Sequence, residues 1–357
     1  MSASTTPARS SMAIPRTSSN PANRALPGTI RMNILILGGT LFIGRHLVDL
    51  LVSRGHHVTI LNRGVTPVQL PAAVTRLTAD REQPDTVAAA LKGKRYDAVI
   101  DIFAQTPDHI QPVLDALGDG IGHYVFCSTV ATYADSDIAP VDENCRLAHD
   151  AAPDSYSKVK IASEELLTKV SASGQCPTTS IRAPVVYGPH NPMPEREASY
   201  FHRIRLGRPV VVAWQGNALL HQIHVDDLVD GFATVLNDPR AFGEIFNVCG
   251  PYATTHTGYV ATIAEALDLP VRIIPVEDPK QLEKITTLAP GIFPFGQVDV
   301  MVYNTEKFRH TFDWSPRFSL RDGMAMTHQW WLDQGYDKTD WDFSGEDKAL
   351  QHLGIEW

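Results

Sequence analysis

Residues 32–51 read MNILILGGTLFIGRHLVDLL and contain the most informative pattern in this chain. The first six residues are apolar enough for a buried strand, and the last eight have the spacing of an amphipathic helix. A strand, a glycine-rich turn and a helix, in that order, form the context in which a glycine fingerprint binds a dinucleotide. The amides at the start of such a helix face the pyrophosphate. This segment therefore predicts a nucleotide-binding βαβ unit.

Two glycines in the turn support this prediction. Gly38 would permit the tight turn, and Gly44 would let the helix pack closely on the strand. The usual middle glycine is absent, and Leu41 occupies its place. An ordinary strand-to-helix turn is the alternative interpretation. The cofactor contacts predicted from this turn are Gly38, Thr40, Phe42, Ile43 and Gly44.

The next strand candidate, residues 57–61, runs directly into Asn62 and Arg63. Proteins that bind NAD usually carry an acid at this point for the ribose hydroxyls, whereas an arginine accommodates the 2′-phosphate of NADP. This chain has an arginine and no acid, which favours NADP over NAD. Alternatively, Arg63 is a solvated loop residue that stacks on the adenine, and it would then suit either cofactor. Asn62 and Arg63 are both predicted to contact the cofactor.

From residue 32 onward, short apolar runs alternate with helical stretches. This alternation predicts βαβ units, a parallel sheet and the α/β class. Because the carboxyl ends of parallel strands share one edge of the sheet, the ligand site is expected there. The predicted strands are 32–37, 57–62, 75–78, 98–103, 124–128 and 178–182. The predicted helices of this half are 43–54, 85–92, 107–117 and 155–171.

Tyr156 and Lys160 lie within the last of these helices and are one turn apart on one face. A phenol has an ordinary pKa of about 10 and is a poor base at neutral pH. A neighbouring ammonium favours the phenolate. Such a pair can move a proton while a cofactor moves a hydride. The spacing alone is common in helices, and two solvated side chains are the alternative.

Taken together, Gly38-x5-Gly44, Ser128-Thr129 and Tyr156-x3-Lys160 resemble an extended short-chain dehydrogenase/reductase of the NAD-dependent epimerase/dehydratase family. Later segments agree with the family pattern, and the resemblance extends from about residue 32 to about residue 331. These segments are RAPVVYGP (182–189), QIHVDDL (222–228), FNVCG (246–250) and WSP (314–316). The sequence pattern of the first fifty matched residues also resembles that of a subgroup that includes chloroplast stem-loop RNA-binding proteins.

The resemblance implies a Rossmann-type doubly wound parallel sheet with a smaller C-terminal α+β substrate domain. The last Rossmann strand would be interleaved with this second domain, and the two would close a cleft over the nicotinamide. The expected divisions are a disordered tail (1–31), the dinucleotide-binding domain (32–188), a mainly substrate-binding part (189–335) and a C-terminal extension (336–357).

The resemblance also implies a catalytic set. Tyr156 would be the general acid/base, Lys160 would bond the nicotinamide ribose and lower the pKa of Tyr156, and Thr129 would orient the reacting oxygen. Ser128 competes with Thr129 for that role, and only one should reach the site because neighbouring strand residues face opposite sides. Asp80 would accept a hydrogen bond from the amino group of the adenine; a capping role before the next helix is the alternative for this residue. The remaining predicted cofactor contacts are Asp80, Arg81, Phe103, Ala104, Ser128 and Val186, with Tyr156 and Lys160.

The implied function is an NAD(P)-dependent oxidoreductase or epimerase acting on a secondary alcohol or ketone of a sugar-like substrate. Val130 and Ala131 stand where the family's 4,6-dehydratases carry an acidic pair, so elimination would lack its proton donor. The alternative is a weakly active or inactive family member that serves as an RNA- or protein-binding module.

The substrate is expected to lack a nucleotide diphosphate or to hold it by a different clamp. Two arginines with which family members usually bind the diphosphate have no counterpart in residues 218–224 or 295–299. Arg203, Arg205 and Arg208 lie nearby in sequence and are candidate substitutes.

Composition limits the remaining possibilities. The net charge is −9, and residues 1–31 contain four arginines and no acid, so the remainder carries −13. An acidic body disfavours nucleic acid and anionic membranes as partners. Four cysteines without a metal-ligand spacing predict a reducing cytoplasm, and 14 scattered histidines predict no metal site. No apolar run is long enough to span a bilayer. The composition of the Ser/Thr/Pro-rich tail also resembles an organelle transit peptide, but an extended or misassigned start, with the folded chain beginning near residue 32, is the better interpretation. A homodimer is a candidate assembly.

Overall fold

The structure is a computed structural model that describes residues 30–152, 155–295 and 302–357. The predicted disordered tail lies outside the described residues, apart from its last two positions. At its end, Arg31 donates from Nε to the carbonyl oxygen of Gly55 at 2.6 Å. Most of residues 295–299, where a diphosphate-binding arginine was sought, also lies outside the described part.

Twelve strands and eleven α-helices are formed within the described part of the chain. The strands are β1 (Asn33–Leu37), β2 (His57–Asn62), β3 (Thr75–Thr78), β4 (Ala98–Asp101), β5 (Tyr124–Thr129), β6 (Thr178–Ala183), β7 (Val185–Tyr187), β8 (Val210–Ala213), β9 (Leu219–His224), β10 (Ile245–Asn247), β11 (Ala253–Thr255) and β12 (Ile273–Val276). The helices are α1 (Phe42–Ser53), α2 (Pro84–Leu91), α3 (Pro107–Leu117), α4 (Tyr156–Ala172), α5 (Glu197–Arg205), α6 (Val225–Thr234), α7 (His256–Leu267), α8 (Pro279–Leu288), α9 (Glu306–Phe312), α10 (Leu320–Asp333) and α11 (Ser344–His352).

The main sheet has seven strands in the order β10-β6-β5-β4-β1-β2-β3, and every neighbouring pair is parallel. Strand order reverses at β1, because the chain runs outward from β1 to β3 and then returns to place β4 on its other side. This is the doubly wound Rossmann arrangement. The predicted fold class is confirmed.

Helices cover both faces of this sheet, which explains why its central strands are continuously apolar. Alternate residues of β1 enter different cores: Ile34 and Ile36 pack with α1 and α6, whereas Leu35 and Leu37 pack with α2, α3 and α4. All four of these β1 side chains are fully buried.

The second half of the chain builds smaller layers beside the main sheet. Strands β11, β9 and β7 form one sheet, and β12 pairs with β8 in another. A third core lies among α5, α7 and α10, and a fourth joins α8 to α11. Strand β10 nevertheless returns to the edge of the main sheet, next to β6. The predicted domain boundaries stay a prediction.

Predicted and observed elements of the first half differ at their ends by at most two residues. Strand β4 ends at Asp101, two residues earlier than predicted, because the Asp101 carboxylate turns back to accept from the amides of Phe103 and Ala104. Helices α8 and α11 were not predicted. Both helices pack against the β8–β12 pair as well as against each other, so they share a core that is assembled from distant parts of the chain.

Within the described residues, no helix is both long and apolar enough to cross a membrane.

Candidate active site

The glycine turn between β1 and α1 has the geometry that its sequence predicted. Gly38 and Gly39 have φ angles of +118° and +92°, which side-chain-bearing residues rarely adopt. A Cβ at Gly44 would lie 2.6 Å from the amide nitrogen of Gly39. The helix can therefore approach the turn only because residue 44 is glycine.

The start of α1 is suited to an anion. No side chain caps it, and its first turn contains no acid. The amides of Gly44 and Arg45 donate to the carbonyl of Leu41, whereas those of Phe42 and Ile43 have no acceptor within the helix. Thr40 is half buried in the turn, and Leu41, in place of the usual glycine, is exposed. Phe42 and Ile43 pack their side chains against the core, so their contribution to a bound pyrophosphate would come from the backbone.

Two arginines, one after β2 and one on the neighbouring strand β3, lie beside Asn62 at the end of β2. Asn62 is engaged locally: its Nδ2 donates to the carbonyl of Gly38 at 3.3 Å, and its Oδ1 accepts from the amide of Gly64 at 2.9 Å. Arg76 of β3 also donates to Asn62 Oδ1, at 3.2 Å. Arg63 is exposed and has no hydrogen-bond or ion-pair partner among the described residues. Asn62 therefore organises the turn, while Arg63 and Arg76 flank it.

Arg81, whose contact with the cofactor stays a prediction, lies against a carboxylate of the fold. Its Nη2 is 2.8 Å from Oδ1 of Asp101, which is fully buried, whereas the Arg81 side chain is largely buried. Arg81 is drawn inward because a buried carboxylate requires a compensating charge. Asp80 keeps its place at the sheet edge, and its Oδ1 accepts from the amide of Glu82 at 3.2 Å, as in a turn-capping role.

Asp101 is the centre of a buried network that sequence reasoning missed. Its carboxylate also accepts from Tyr124 Oη at 2.7 Å and from the amides of Phe103 and Ala104 at 3.1 and 2.9 Å. Burial raises the pKa of Asp101, but the Arg81 charge and these donors outweigh it and hold the pKa below its usual value. The Phe103 side chain is exposed at the sheet edge, whereas Ala104 is fully buried.

Lys160 is buried, and its ammonium is held by backbone carbonyls. Its Nζ donates to the carbonyl oxygens of Ala104 and Cys127 at 2.7 and 2.8 Å. Burial lowers the pKa of Lys160. A lysine ammonium has three donors, and these carbonyls use two of them.

Tyr156 lies beside Lys160 and Thr129, as predicted. The Lys160 Nζ is 5.9 Å from the centroid of the Tyr156 ring, and the Thr129 side chain is close enough to the Tyr156 phenol to favour its ionised form. The expected lowering of the phenol pKa is not found. Burial raises the pKa of Tyr156 and outweighs the opposing effects of the Thr129 hydrogen bond and the Arg196 charge.

Ser128 points away from this group, which separates it from Thr129. Its hydroxyl donates to Oε1 of Glu164 at 2.5 Å, in the buried space between β5 and α4. Arg182 completes this network with two bonds to Glu164, at 2.9 and 2.6 Å, and its guanidinium stacks over the ring of Tyr133. The strand pleat turns the Ser128 side chain to the face opposite Thr129, so the contact of Ser128 with the cofactor, which stays a prediction, would come from its backbone.

Val186 lies on β7, which is an edge strand of the three-stranded sheet. One row of its backbone groups is unpaired in that sheet. Its side chain is buried.

The three arginines proposed as substitute clamps do not face the sheet edge. They anchor the C-terminal segment instead, because its acidic side chains lie against α5 and the turn that follows it. The ion pairs are Arg203–Glu346, Arg205–Asp337 and Arg208–Asp347.

His221, at the predicted clamp segment, is also committed to the fold. Its Nε2 contacts the carbonyl oxygen of Gly250 at 3.0 Å, and its Nδ1 accepts from the amide of Tyr303 at 3.1 Å. Burial lowers the pKa of His221, which favours the neutral ring that this pattern requires.

Three residues of the site were missed at the sequence level: Arg76, Asp101 and Glu164. Only Glu164 had a usable signal, since it follows Tyr156 and Lys160 at the same four-residue spacing and so shares their helix face.

A family model described as the NAD dependent epimerase/dehydratase family matches residues 34–249, which is more than half of the chain. The chain belongs to this family. The sequence-based prediction of the family is thereby confirmed, and the protein is an NAD(P)-dependent enzyme of the extended short-chain dehydrogenase/reductase type.

Relatives of this epimerase/dehydratase family member differ in their named roles. The chain is 33% identical to the chloroplast stem-loop binding protein of 41 kDa b from Arabidopsis thaliana, over 89% of this chain and 84% of that protein. It is 27% identical to 2′-dehydrokanamycin reductase from Streptomyces kanamyceticus, over 71% and 72% of the two chains.

Solved structures agree on the fold. A UDP-glucose 4-epimerase from Thermotoga maritima with UDP-glucose matches with a TM-score of 0.70 at 20% identity, covering 85% of this chain and 99% of that one. A UDP-glucose 4-epimerase from Stenotrophomonas maltophila, with bound NAD and formylated UDP-arabinopyranose, matches with the same TM-score and identity, covering 86% and 99%.

Proposed function

We propose that this family member is an NAD(P)-dependent oxidoreductase or epimerase for a secondary alcohol or ketone of a sugar-like substrate. The observation that carries the proposal is the convergence of Thr129, Tyr156 and Lys160 at the sheet edge that also bears the glycine turn. The turn and the uncapped start of α1 fit a pyrophosphate, and the remaining Lys160 donor fits a ribose hydroxyl. The nicotinamide, when bound, supplies or accepts the hydride.

Tyr156 is the proton donor in this proposal. A phenol is protonated at neutral pH, and partial burial raises the pKa of Tyr156 further, so its hydroxyl can protonate a carbonyl oxygen during reduction. Thr129 holds the reacting oxygen beside Tyr156 through its own hydroxyl. Lys160 fixes the cofactor ribose, and its direct influence on Tyr156 is smaller than the sequence suggested.

We propose that the cofactor is NADP rather than NAD. Arg63 and Arg76 flank Asn62 at the end of β2, and two guanidinium groups suit a 2′-phosphate. We expect Arg63→Ala and Arg76→Ala each to weaken NADPH binding by about tenfold, since a hydrogen bond to a charged group contributes about 1.5–3 kcal/mol. NADH affinity should stay within about twofold. Fluorescence titration of both cofactors measures this, and equal affinities for NADPH and NADH in the wild type would contradict the preference.

The substrate is proposed to lack a nucleotide diphosphate. Arg203, Arg205 and Arg208 are engaged by C-terminal acids, and His221 has both ring nitrogens engaged. Calorimetry with UDP, GDP and dTDP tests the point, because micromolar binding of any of them would contradict it. A homodimer stays a prediction, to be measured by analytical ultracentrifugation.

The reaction itself is tested by incubating the protein with NADPH or NADP and a panel of keto- and hydroxy-sugars. Net change in nicotinamide absorbance indicates an oxidoreductase. An isomerised product without net change indicates an epimerase. No turnover with any member of a broad panel, by a protein that binds NADPH, would favour the binding-module alternative.

One comparison favours that alternative: the 33% identical relative is named a stem-loop binding protein. Gel-shift titration with stem-loop RNA over a range of salt concentrations examines it. Affinity that falls steeply with salt would indicate phosphate contacts. Submicromolar binding at physiological salt, unchanged in Tyr156→Phe, would support an RNA-binding role separate from the Tyr156 site.

A further inference from the structure

We propose that Asp101 and Arg81 are positioning residues for Lys160. They form a buried ion pair that holds the backbone at Ala104, and this backbone in turn holds the Lys160 ammonium. The inference rests on the proposed function, in which Lys160 binds the cofactor ribose.

The first step concerns the groups that surround the Asp101 carboxylate. Asp101 is fully buried at the end of β4, where it forms an ion pair with the Arg81 guanidinium and accepts hydrogen bonds from the Tyr124 phenol and two backbone amides. Two of these donors are the amides of residues 103 and 104, so the carboxylate fixes the turn that leaves β4. A buried carboxylate with so many donors stays ionised and rigid.

The second step links this turn to α4. Ala104 donates its amide to Asp101 at 2.9 Å, and its carbonyl accepts from Lys160 Nζ at 2.7 Å. One residue therefore connects the carboxylate to the ammonium. Movement of the 103–104 turn would displace one of the two carbonyls that hold Lys160.

The third step is electrostatic. The charged or titratable groups that act on Lys160 are Cys127 of β5, Asp101 of β4, Arg81 from the turn after β3, and Glu164 of α4 itself. Asp101 favours the ammonium, whereas Arg81 disfavours it. The two members of the pair therefore act on the protonation of Lys160 in opposite directions, so removing Asp101 and removing Arg81 should shift the pKa of Lys160 in opposite directions.

The opposite signs provide the test. NADPH affinity is titrated by fluorescence between pH 7 and pH 10 for the wild type, Asp101→Asn and Arg81→Met. In Asp101→Asn, loss of the anion should shift the alkaline fall in affinity to lower pH by about one unit, which is about a tenfold weaker affinity in that range. In Arg81→Met the fall should shift to higher pH.

A matched control is the buried Arg203–Glu346 pair, which lies in another core. Glu346→Gln should lower the melting temperature without moving the pH profile. If Asp101→Asn does not fold, Tyr124→Phe removes a single donor and should weaken NADPH binding severalfold.

Profiles that do not move, or that move in the same direction in both variants, would overturn the inference, as would unchanged affinity in Tyr124→Phe. A wild type that binds no nicotinamide cofactor would instead overturn the proposed function, and with it the role given to the pair.

Discussion

At the scale of single residues, Ser128 and Thr129 are neighbours in sequence, but their side chains have different partners. Both end β5, and both are buried hydroxyls. Ser128 bonds the Glu164 carboxylate inside the protein, whereas Thr129 lies beside Tyr156 at the sheet edge, where its hydroxyl accepts from the amide of Ala131 at 3.2 Å. The strand pleat assigns them opposite faces.

We therefore expect different results from two similar substitutions. Ser128→Ala should lower the free energy of unfolding by about 1 kcal/mol, because Glu164 keeps its two bonds to Arg182. Its turnover should stay close to that of the wild type. Thr129→Val removes the hydroxyl that accepts from the amide of Ala131 at 3.2 Å, so it should also lower stability by about 1 kcal/mol, but it should lower turnover by about a hundredfold. Urea unfolding and steady-state kinetics separate the two effects, and equal losses of turnover would contradict the assignment.

Tyr156→Phe tests the proton donor itself. The change removes one hydroxyl from a ring that is half exposed, so the fold and NADPH affinity should hold within a few-fold. Turnover should fall by roughly two to four orders of magnitude, the usual scale for a lost general acid/base. Near-normal turnover in this variant would exclude the mechanism.

At the scale of elements, α1 and α4 position the site by two different devices. Helix α4 is attached to the sheet by charges: Lys160 bonds carbonyls after β4 and in β5, and Glu164 bonds Arg182 of β6. Helix α1 is attached by close approach, because its Gly44 meets the backbone of the glycine turn.

Gly44→Ala should consequently disturb the cofactor site and the fold together. The added methyl would meet the amide nitrogen of Gly39 at 2.6 Å and the Ile102 side chain at 2.5 Å, so the helix must move. We expect a loss of about 3 kcal/mol or more in unfolding free energy and of most NADPH affinity. Gly93→Ala is the control: it has a positive φ of 71° but no neighbour within 4 Å, and should cost about 1 kcal/mol without affecting NADPH. Similar NADPH affinities in the two variants would contradict the close-approach argument.

At the scale of the whole molecule, buried charges connect parts of the chain that are far apart in sequence. Arg203 of α5 bonds Glu346 of α11 across 143 positions.

Glu197, at the start of the same helix α5, is buried, and its Oε2 accepts a hydrogen bond from Asn191 Nδ2 at 2.7 Å. One of its carboxylate oxygens has no partner among the described residues.

Burial raises the pKa of Glu197 to about 7 from an ordinary value of 4.5. The unfolded state therefore loses its proton at a lower pH than the folded state, and stability falls as pH rises from about 4.5 to about 7. Glu197→Gln removes this cost. Its unfolding free energy at pH 8 should exceed that of the wild type by up to about 3 kcal/mol, with little difference near pH 4.

Thermal unfolding at both pH values measures this, with the exposed Glu283→Gln as the control. A Glu197→Gln variant that is no more stable than the wild type at pH 8 would show that the carboxylate is better solvated than the structure indicates.

The sequence by itself determined the parallel sheet, its helices and the approximate position of the site. Those features depend on patterns within a few residues: apolar runs for β1 and β5, a glycine at 44 for close packing, and a four-residue spacing for Tyr156 and Lys160. Family membership followed from the same short motifs, and the comparisons confirm it.

Only the tertiary structure decided where the polar side chains point. Arg81, Arg203 and Ser128 have sequence contexts that suit a ligand site, yet each is bound to a buried carboxylate that lies 20 or more positions away. A buried charge takes the partner that folding places beside it, because leaving that charge unpaired costs several kcal/mol. That choice depends on packing between distant elements, which no local pattern contains.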